Sequence, residues 1–352
     1  MAGALLRSSP AFVLIVLLTG ANARAQVRLS DPVTTINQAL DSYQQGAYTE
    51  SFERLQPLTQ TEILEARRIS DDAIKSRDFR RAENLAILLL DMAIQVSAQR
   101  DSQSVTFRLA SNRVVEELVA AGRRDPPVRA WFLLLDSFLE GDWNFHDLEP
   151  NLEAARTLFP SDSVIQVISG SFHETRARAP SRFVFTKTPS GEVFAYGERE
   201  RHRDFETARM FFLEALRARP NDDEACLRLG RVAYELGRFD ESIKVLGELT
   251  DAAAHSEETS YLATLFAAAS YEALGRLDES KAAYLRAMAW PSQAPSVGLS
   301  ALLWAVGDNR NSARVMDRLL ANPPPDEIWQ HYIKGQWRFL EQRRREARSL
   351  VR

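Results

Sequence analysis

The sequence predicts an all-α fold, a right-handed α-α superhelix carrying one inserted β-hairpin. Helix breakers are few: Gly and Pro number 15 each among 352 residues, against a background of the good helix formers Ala, Leu, Arg and Glu. Apolar residues recur at helical spacing in paired segments, with glycine at the turn between partners. One internal segment switches to short β-branched and aromatic runs around a turn signal.

The pairing is plainest from Asp223 onward. Leu229-Gly230, Tyr234, Gly237, Phe239, Ser242, Leu246 and Leu249 are followed by Tyr261, Ala268, Tyr271, Gly275, Leu277, Ser280, Tyr284, Ala287 and Pro291. Leu299, Trp304, Gly307, Ser312, Met316, Leu319 and Pro323 then repeat the arrangement. A small residue midway along each first helix (Gly230, Ala268, Ser300) admits the second helix closely, and a serine early in each second helix (Ser242, Ser280, Ser312) is expected at the crossing point. Glycine is expected at each turn because helix ends commonly need a left-handed residue, and proline then stops the second helix. Neither helix can bury its apolar stripe alone, so neighbouring pairs must stack.

The turn glycines Gly237, Gly275 and Gly307 bracket a period of about 34 residues. This spacing, with the turn sequences Gly237–Ser242 and Gly275–Ser280, resembles the tetratricopeptide repeat family over Asp204 to Pro323. Upstream, Gly46, Tyr48, Ser51, Leu55 and Leu58 fit one unit, and Phe79, Ala82, Ala86 and Leu89 fit the second helix of another whose turn carries Arg77 where glycine is usual. Arg113 to Gly122, Val128 to Gly141 and Leu148 to Phe159 read as further helices. The expected organisation is a signal peptide over 1–25, irregular repeats over 26–160, a unit over 161–222 with an insertion at about 180–203, repeats over 223–326, and a polar capping helix over 327–352.

In the unit after Pro160, Gly170 falls at the small-residue position, and Phe205, Ala208, Phe212, Ala215 and Pro220 resume the second-helix pattern. Between them stand Arg182–Lys187 and Glu192–Tyr196 around Thr-Pro-Ser-Gly, a hairpin pattern. An isolated hairpin is marginal in water. Phe183, Phe185, Phe194 and Tyr196 supply a surface for it to lean on, either as a partner-binding finger over the groove or as a shield packed on its neighbours.

Arg7, the apolar run Ala11–Leu18 and Ala23-Arg24-Ala25 before Gln26 read as a cleaved secretory signal. The run is shorter than the roughly 20 apolar residues of a membrane span, so no span is expected after cleavage, and no lipobox cysteine follows. The expected location is periplasmic or secreted. The chain is mildly acidic, with a net charge of −4 and its basic residues interspersed among acids, which argues against nucleic acid as a ligand. The single Cys226 allows no internal disulfide and reads as a small buried hydrophobe.

No catalytic set emerges. The five histidines are far apart, and the His-Glu-Thr-Arg at His173 lacks the second histidine of a zinc helix. There is no glycine-rich phosphate loop and no nucleophile elbow, so neither metal nor cofactor is expected. Asp71-Asp72 and Asp222-Asp223 read as cap or surface groups. Trp143-Asn144-Phe145-His146 reads as a turn anchored on the core.

In the family this chain resembles, first helices line the concave face and bind partners. That resemblance implies partner-facing groups at Arg231, Tyr234 and Glu235, at Leu265, Ala269 and Glu272, and at Val297, Ala301 and Trp304, with Phe185, Phe194 and Tyr196 added by the hairpin. Arg231 occupies one place of the family's carboxylate clamp without its companions, so a chaperone C-terminus is not the expected ligand. The expected function is a non-catalytic protein–protein scaffold or adaptor of the bacterial cell envelope, binding a peptide or helix in the groove. A cell-wall glycan or other small ligand is the alternative, and the oligomeric state is open.

Overall fold

A computed structural model describes residues 31–99, 102–141, 144–178, 197–250, 254–325, 328, 332 and 340–351. The expected signal peptide and hairpin, including Phe185, Phe194 and Tyr196, lie outside the described residues. The described residues are helical throughout apart from turns and connections. The chain divides into two compact units, residues 1–121 with 351–352, and residues 122–350.

The first unit comprises α1 (Pro32–Gln44), α2 (Tyr48–Leu55), α3 (Gln60–Ile63), α4 (Ala66–Lys75), α5 (Phe79–Ala98) and α6 (Gln103–Ala120). α1 pairs with α2, α4 with α5, and α5 with α6. Helix α5 is buried almost all round, from Ala82 to Ile94. Its acids are accommodated by partners: the Tyr43 hydroxyl donates to Asp91 Oδ2 at 2.6 Å, both side chains being buried.

The second unit contains α7 (Pro126–Gly141), α8 (Phe145–Leu158), α9 (Ser163–Arg178), α10 (Glu198–Ala218), α11 (Asp223–Glu235), α12 (Phe239–Gly247), α13 (Glu257–Ala273), α14 (Leu277–Ala287), α15 (Ala294–Ala305), α16 (Asn309–Ala321) and α17 (Leu340–Leu350). Successive helices pair, α9 with α10, α11 with α12, α13 with α14 and α15 with α16. The cores form between pairs. One joins Phe205 and Phe212 of α10 to Leu229 and Val232 of α11, and the next joins Leu246 of α12 to Tyr261 and Phe266 of α13 and Leu299 of α15.

The crossing points follow the sequence pattern. A Cβ on Gly230 would stand 2.4 Å from the Leu246 side chain, and one on Gly170 would stand 2.4 Å from the Phe212 ring, so both sites require glycine for the helices to meet. Ser242 Oγ donates to Gly230 O at 2.7 Å, Ser312 Oγ to Ser300 O at 2.9 Å, and Ser51 Oγ to Ala39 O at 2.8 Å. The serine of α2 thus ties the first helix pair together just as those of the regular pairs do, although the sequence around it is irregular.

The turns end helices in a left-handed residue with paired carbonyl caps. At Gly237 (φ +73°) its amide bonds Tyr234 O and the Arg238 amide bonds Ala233 O. Arg77 takes the same conformation (φ +61°) with the same bonds, Arg77 N to Ile74 O and Asp78 N to Ala73 O, the one positive-φ residue other than glycine among the described residues.

α9 and α10 pack on one another although residues 179–196 separate them along the chain. A charge cluster reinforces the join. Asp204, buried in the first turns of α10, accepts from Arg176 Nε at 2.8 Å, also pairs with Arg176 Nη2, and lies 2.9 Å from His173 Nδ1, while Arg176 Nη1 reaches Glu149 at 2.9 Å. His173, which begins the His-Glu-Thr-Arg stretch, is therefore a structural tie. Phe145 is buried against Phe172, as an anchored turn requires, and Asp222 caps α11 by accepting from the Ala225 amide. Cys226 is buried, and its surroundings push the thiol up to about 11, so it is no nucleophile near neutral pH.

The C-terminal segment differs from expectation. It was expected to cap the end of the array. Instead α17 packs on α7, and Tyr332 lies over α9, α11 and α13. Tyr332 thus covers part of the face that α9, α11 and α13 present.

Candidate functional site

The first-helix face of the second unit is the candidate binding surface, and most of its expected contact residues are already engaged. Arg231 pairs with Glu235 at 2.5 Å, and its guanidinium carbon lies 5.0 Å from the ring centroids of both Tyr234 and Phe266. Glu235 also receives Arg201 of α10 at 2.9 Å. Tyr234 rests against Phe239, closing the turn between α11 and α12. These side chains bind neighbouring helices to one another and keep only their edges on the surface.

On α13, Leu265 is 8 % exposed and belongs to the core, not to an open groove wall. The register of α13 turns it inward because Leu262, Leu265 and Phe266 together fill the space between α11 and α15. Glu272 accepts from the Tyr284 hydroxyl at 3.0 Å, and burial beside that carboxylate pushes the phenol above its ordinary range. On α15 the face is accessible. Val297, Ala301 and Trp304 are exposed, Trp304 at 66 %, and their spacing of four and three residues sets them along one side of the helix.

The residues brought together most closely on this face include several outside the sequence-derived set. Glu174 of α9 and Arg228 of α11 are fully buried and meet at 2.8 Å. Arg228 Nε also reaches Glu224 at 2.6 Å, and Arg178 stands 3.4 Å from Glu174. The Tyr332 hydroxyl donates to Glu174 Oε1 at 2.5 Å. Its ring meets Phe266 edge-on, with centroids 5.2 Å apart, and lies 4.8 Å from the Arg228 guanidinium carbon. Burial alone would raise the Glu174 carboxyl, but Arg178 and Arg228 hold it below the usual range, so the cluster stays ionised. The same burial, with Glu174 as neighbour, drives the Tyr332 phenol far up, and it remains a neutral donor.

Sequence reasoning missed this cluster. Glu174 and Arg228 are charged residues in helices otherwise rich in apolar ones. The available signal was that each sits where the amphipathic pattern demands an inward-facing residue.

A further buried acid lies on α7. Asp136 is fully buried, accepts from the Asn151 amide, and burial pushes its carboxyl up to about 8. Glu140 adds to the rise, and Arg156 and Arg343 oppose it. Among the described residues no group of His, Cys, Asp and Glu is placed to hold a metal ion, and no helix is long and apolar enough to cross a membrane.

Residues 201–265 match the tetratricopeptide repeat family. No curated protein matches the chain. Among solved structures, a human IFIT1 dimer with m7Gppp-AAAA is similar at 13% identity and a TM-score of 0.41, covering 78% of this chain and 68% of that one. A monomeric IFIT1 mutant with Gppp-AAAA is similar at 14% identity and a TM-score of 0.45, covering 95% and 75%. A further monomeric IFIT1 mutant, with m7Gppp-AAAA in the anti conformation of the cap, is similar at 15% identity and a TM-score of 0.42, covering 92% and 65%. With its paired helices, left-handed glycine turns and small-residue crossings, the chain is a helical repeat protein, and the tetratricopeptide repeat match extends over residues 201–265.

Proposed function

We propose that the protein is a non-catalytic interaction scaffold that binds a peptide or helix of a protein partner on the first-helix face of its second unit. The observation that supports this reading is that the face seats a segment from outside the helix pairs, with Tyr332 spanning α9, α11 and α13. A surface that holds an added chain segment by one buried hydrogen bond and an aromatic contact has the chemistry of peptide recognition. The exposed stripe Val297, Ala301 and Trp304 extends the surface beyond Tyr332.

The reading places the scaffold in the bacterial cell envelope after export, on the strength of the N-terminal charge and apolar pattern. It assigns no enzymatic role, Glu174 being committed to Arg228, Arg178 and Tyr332. The net charge of −4 favours protein over nucleic acid as ligand. The test is affinity capture on the full chain from an envelope extract, followed by thermal shift of the purified protein with the captured partner's segment, with cell-wall glycan fragments and with an RNA oligonucleotide. A ligand specific for the native state raises the melting temperature. A shift with the partner's segment alone is the expected result; a shift with glycan or RNA alone sinks the reading.

A further inference from the structure

Glu174, Arg228 and Phe266 come from the first helices of three successive pairs, and Tyr332 contacts all three. The tyrosine arrives from outside the repeat, after α16 and the run Pro323–Pro325. Its socket is a charge-balanced group: Glu174 and Glu224 face Arg228 and Arg178, with contacts of 2.6–3.4 Å. The phenol adds to this group a neutral donor and a ring, not a charge. Its departure therefore leaves no uncompensated ion, and the socket keeps its form without it. Beside Glu174 a phosphorylated ring would set like charges together, so the socket selects the unmodified side chain.

We propose that Glu174, Arg228 and Phe266 form a tyrosine subsite, filled in cis by Tyr332, and that a partner segment bearing an unmodified tyrosine takes the same place by displacing Tyr332. The second half of this proposal rests on the first-helix face being a protein-binding surface; the subsite itself does not. Glu174 receives the hydroxyl, Phe266 meets the ring edge, and Arg228 stacks over its face.

The experiment uses the full chain with Tyr332→Ala, which empties the subsite and leaves its walls untouched. The probe is a fluorescent synthetic peptide of residues 323–340 carrying Tyr332, followed by anisotropy. Saturable binding to the Tyr332→Ala protein, at least tenfold weaker to the wild type, is the expected result. A peptide with Phe at position 332 is expected to bind about tenfold more weakly, having lost a hydrogen bond to a charged group, and a phosphotyrosine peptide is expected not to bind. A folded Tyr332→Ala protein that ignores the peptide, or takes tyrosine and alanine peptides equally, overturns the subsite. Should Tyr332→Ala not fold, Tyr332→Phe retains the ring: faster hydrogen exchange in α17 together with peptide uptake supports the proposal, and wild-type protection without uptake overturns it. A captured partner whose binding is unchanged by Glu174→Gln refutes the partner half of the proposal and leaves the scaffold reading standing, whereas peptide binding in trans with no partner captured supports the subsite and counts against the scaffold.

Discussion

Arg77 holds a left-handed turn that glycine holds at Gly46, Gly122, Gly237, Gly275 and Gly307. A side chain in that conformation costs about 1–2 kcal/mol. Replacing Arg77 with Gly is expected to stabilise the first unit by up to about 1 kcal/mol, the greater freedom of glycine in the unfolded chain offsetting part of the gain. Chemical denaturation of the two proteins measures it, and a loss of stability would show that the Arg77 side chain contributes more than its backbone costs. Gly230 presents the reverse case. Its missing Cβ makes room for Leu246, so Gly230→Ala is expected to cost about 1–3 kcal/mol through forced displacement of the crossing helices.

Asp136 adds a pH dependence at the same scale. Its folded carboxyl titrates at about 8, against 3.8 when unburied, so between those values the folded state holds a proton the unfolded state has released. Stability contributed by this group is full below the lower value and falls as pH rises toward 8. Asp136→Asn imitates the protonated form, and melting curves at pH 5.5 and 8.5 should show the variant gaining on the wild type at the higher pH. An unchanged difference between the two proteins would mean that the carboxyl is ionised in the fold.

At the scale of elements, the joint between α9 and α10 rests on more than apolar packing. The chain leaves the pair at residue 178 and returns at residue 197, so no short turn sets the helices' register. Asp204 does so instead, gathering Arg176 and His173 from α9, with Arg176 passing on to Glu149 of α8. Asp204→Ala leaves Arg176 with Glu149 alone, and the expected cost lies toward the low end of about 3–5 kcal/mol because Arg176 retains some solvent. Urea unfolding is the measurement; a cost below 1 kcal/mol would place the register in the apolar contacts of Phe205 and Phe212. The pairing of α9 with α10 was legible because Gly170 and Phe212 obey the repeat spacing on either side of the insertion. The Asp204 clamp was not, because a run of alternating charges reads as a solvated helix start and nothing local marks the one acid that turns inward.

Across the whole molecule, the proposed binding depends on how much of the first-helix face stays open. Trp304 is 66 % exposed and packs on little, so Trp304→Ala is expected to change stability by less than about 0.5 kcal/mol. Any fall in partner affinity in that variant, read by calorimetry with a captured partner's segment, then reports a direct contact; unchanged affinity would remove the α15 stripe from the binding surface. Arg231, Tyr234, Glu235 and Glu272 cannot be read this way, since each also ties neighbouring helices together.

The sequence by itself determined the helix pairs, their left-handed turns and their serine and glycine crossings, because those features arise from contacts within about 34 residues and leave a periodic trace. Only the tertiary structure decided where the C-terminal segment goes and which first-helix residues it covers. Tyr332 and Glu174 lie far apart along the chain, and a contact of that range has no period. It depends on Glu174, Arg228 and Phe266 of three separate helices meeting where Tyr332 lies. The burial of Leu265 followed in the same way from the packing of α11, α13 and α15, which spacing along a single helix does not contain.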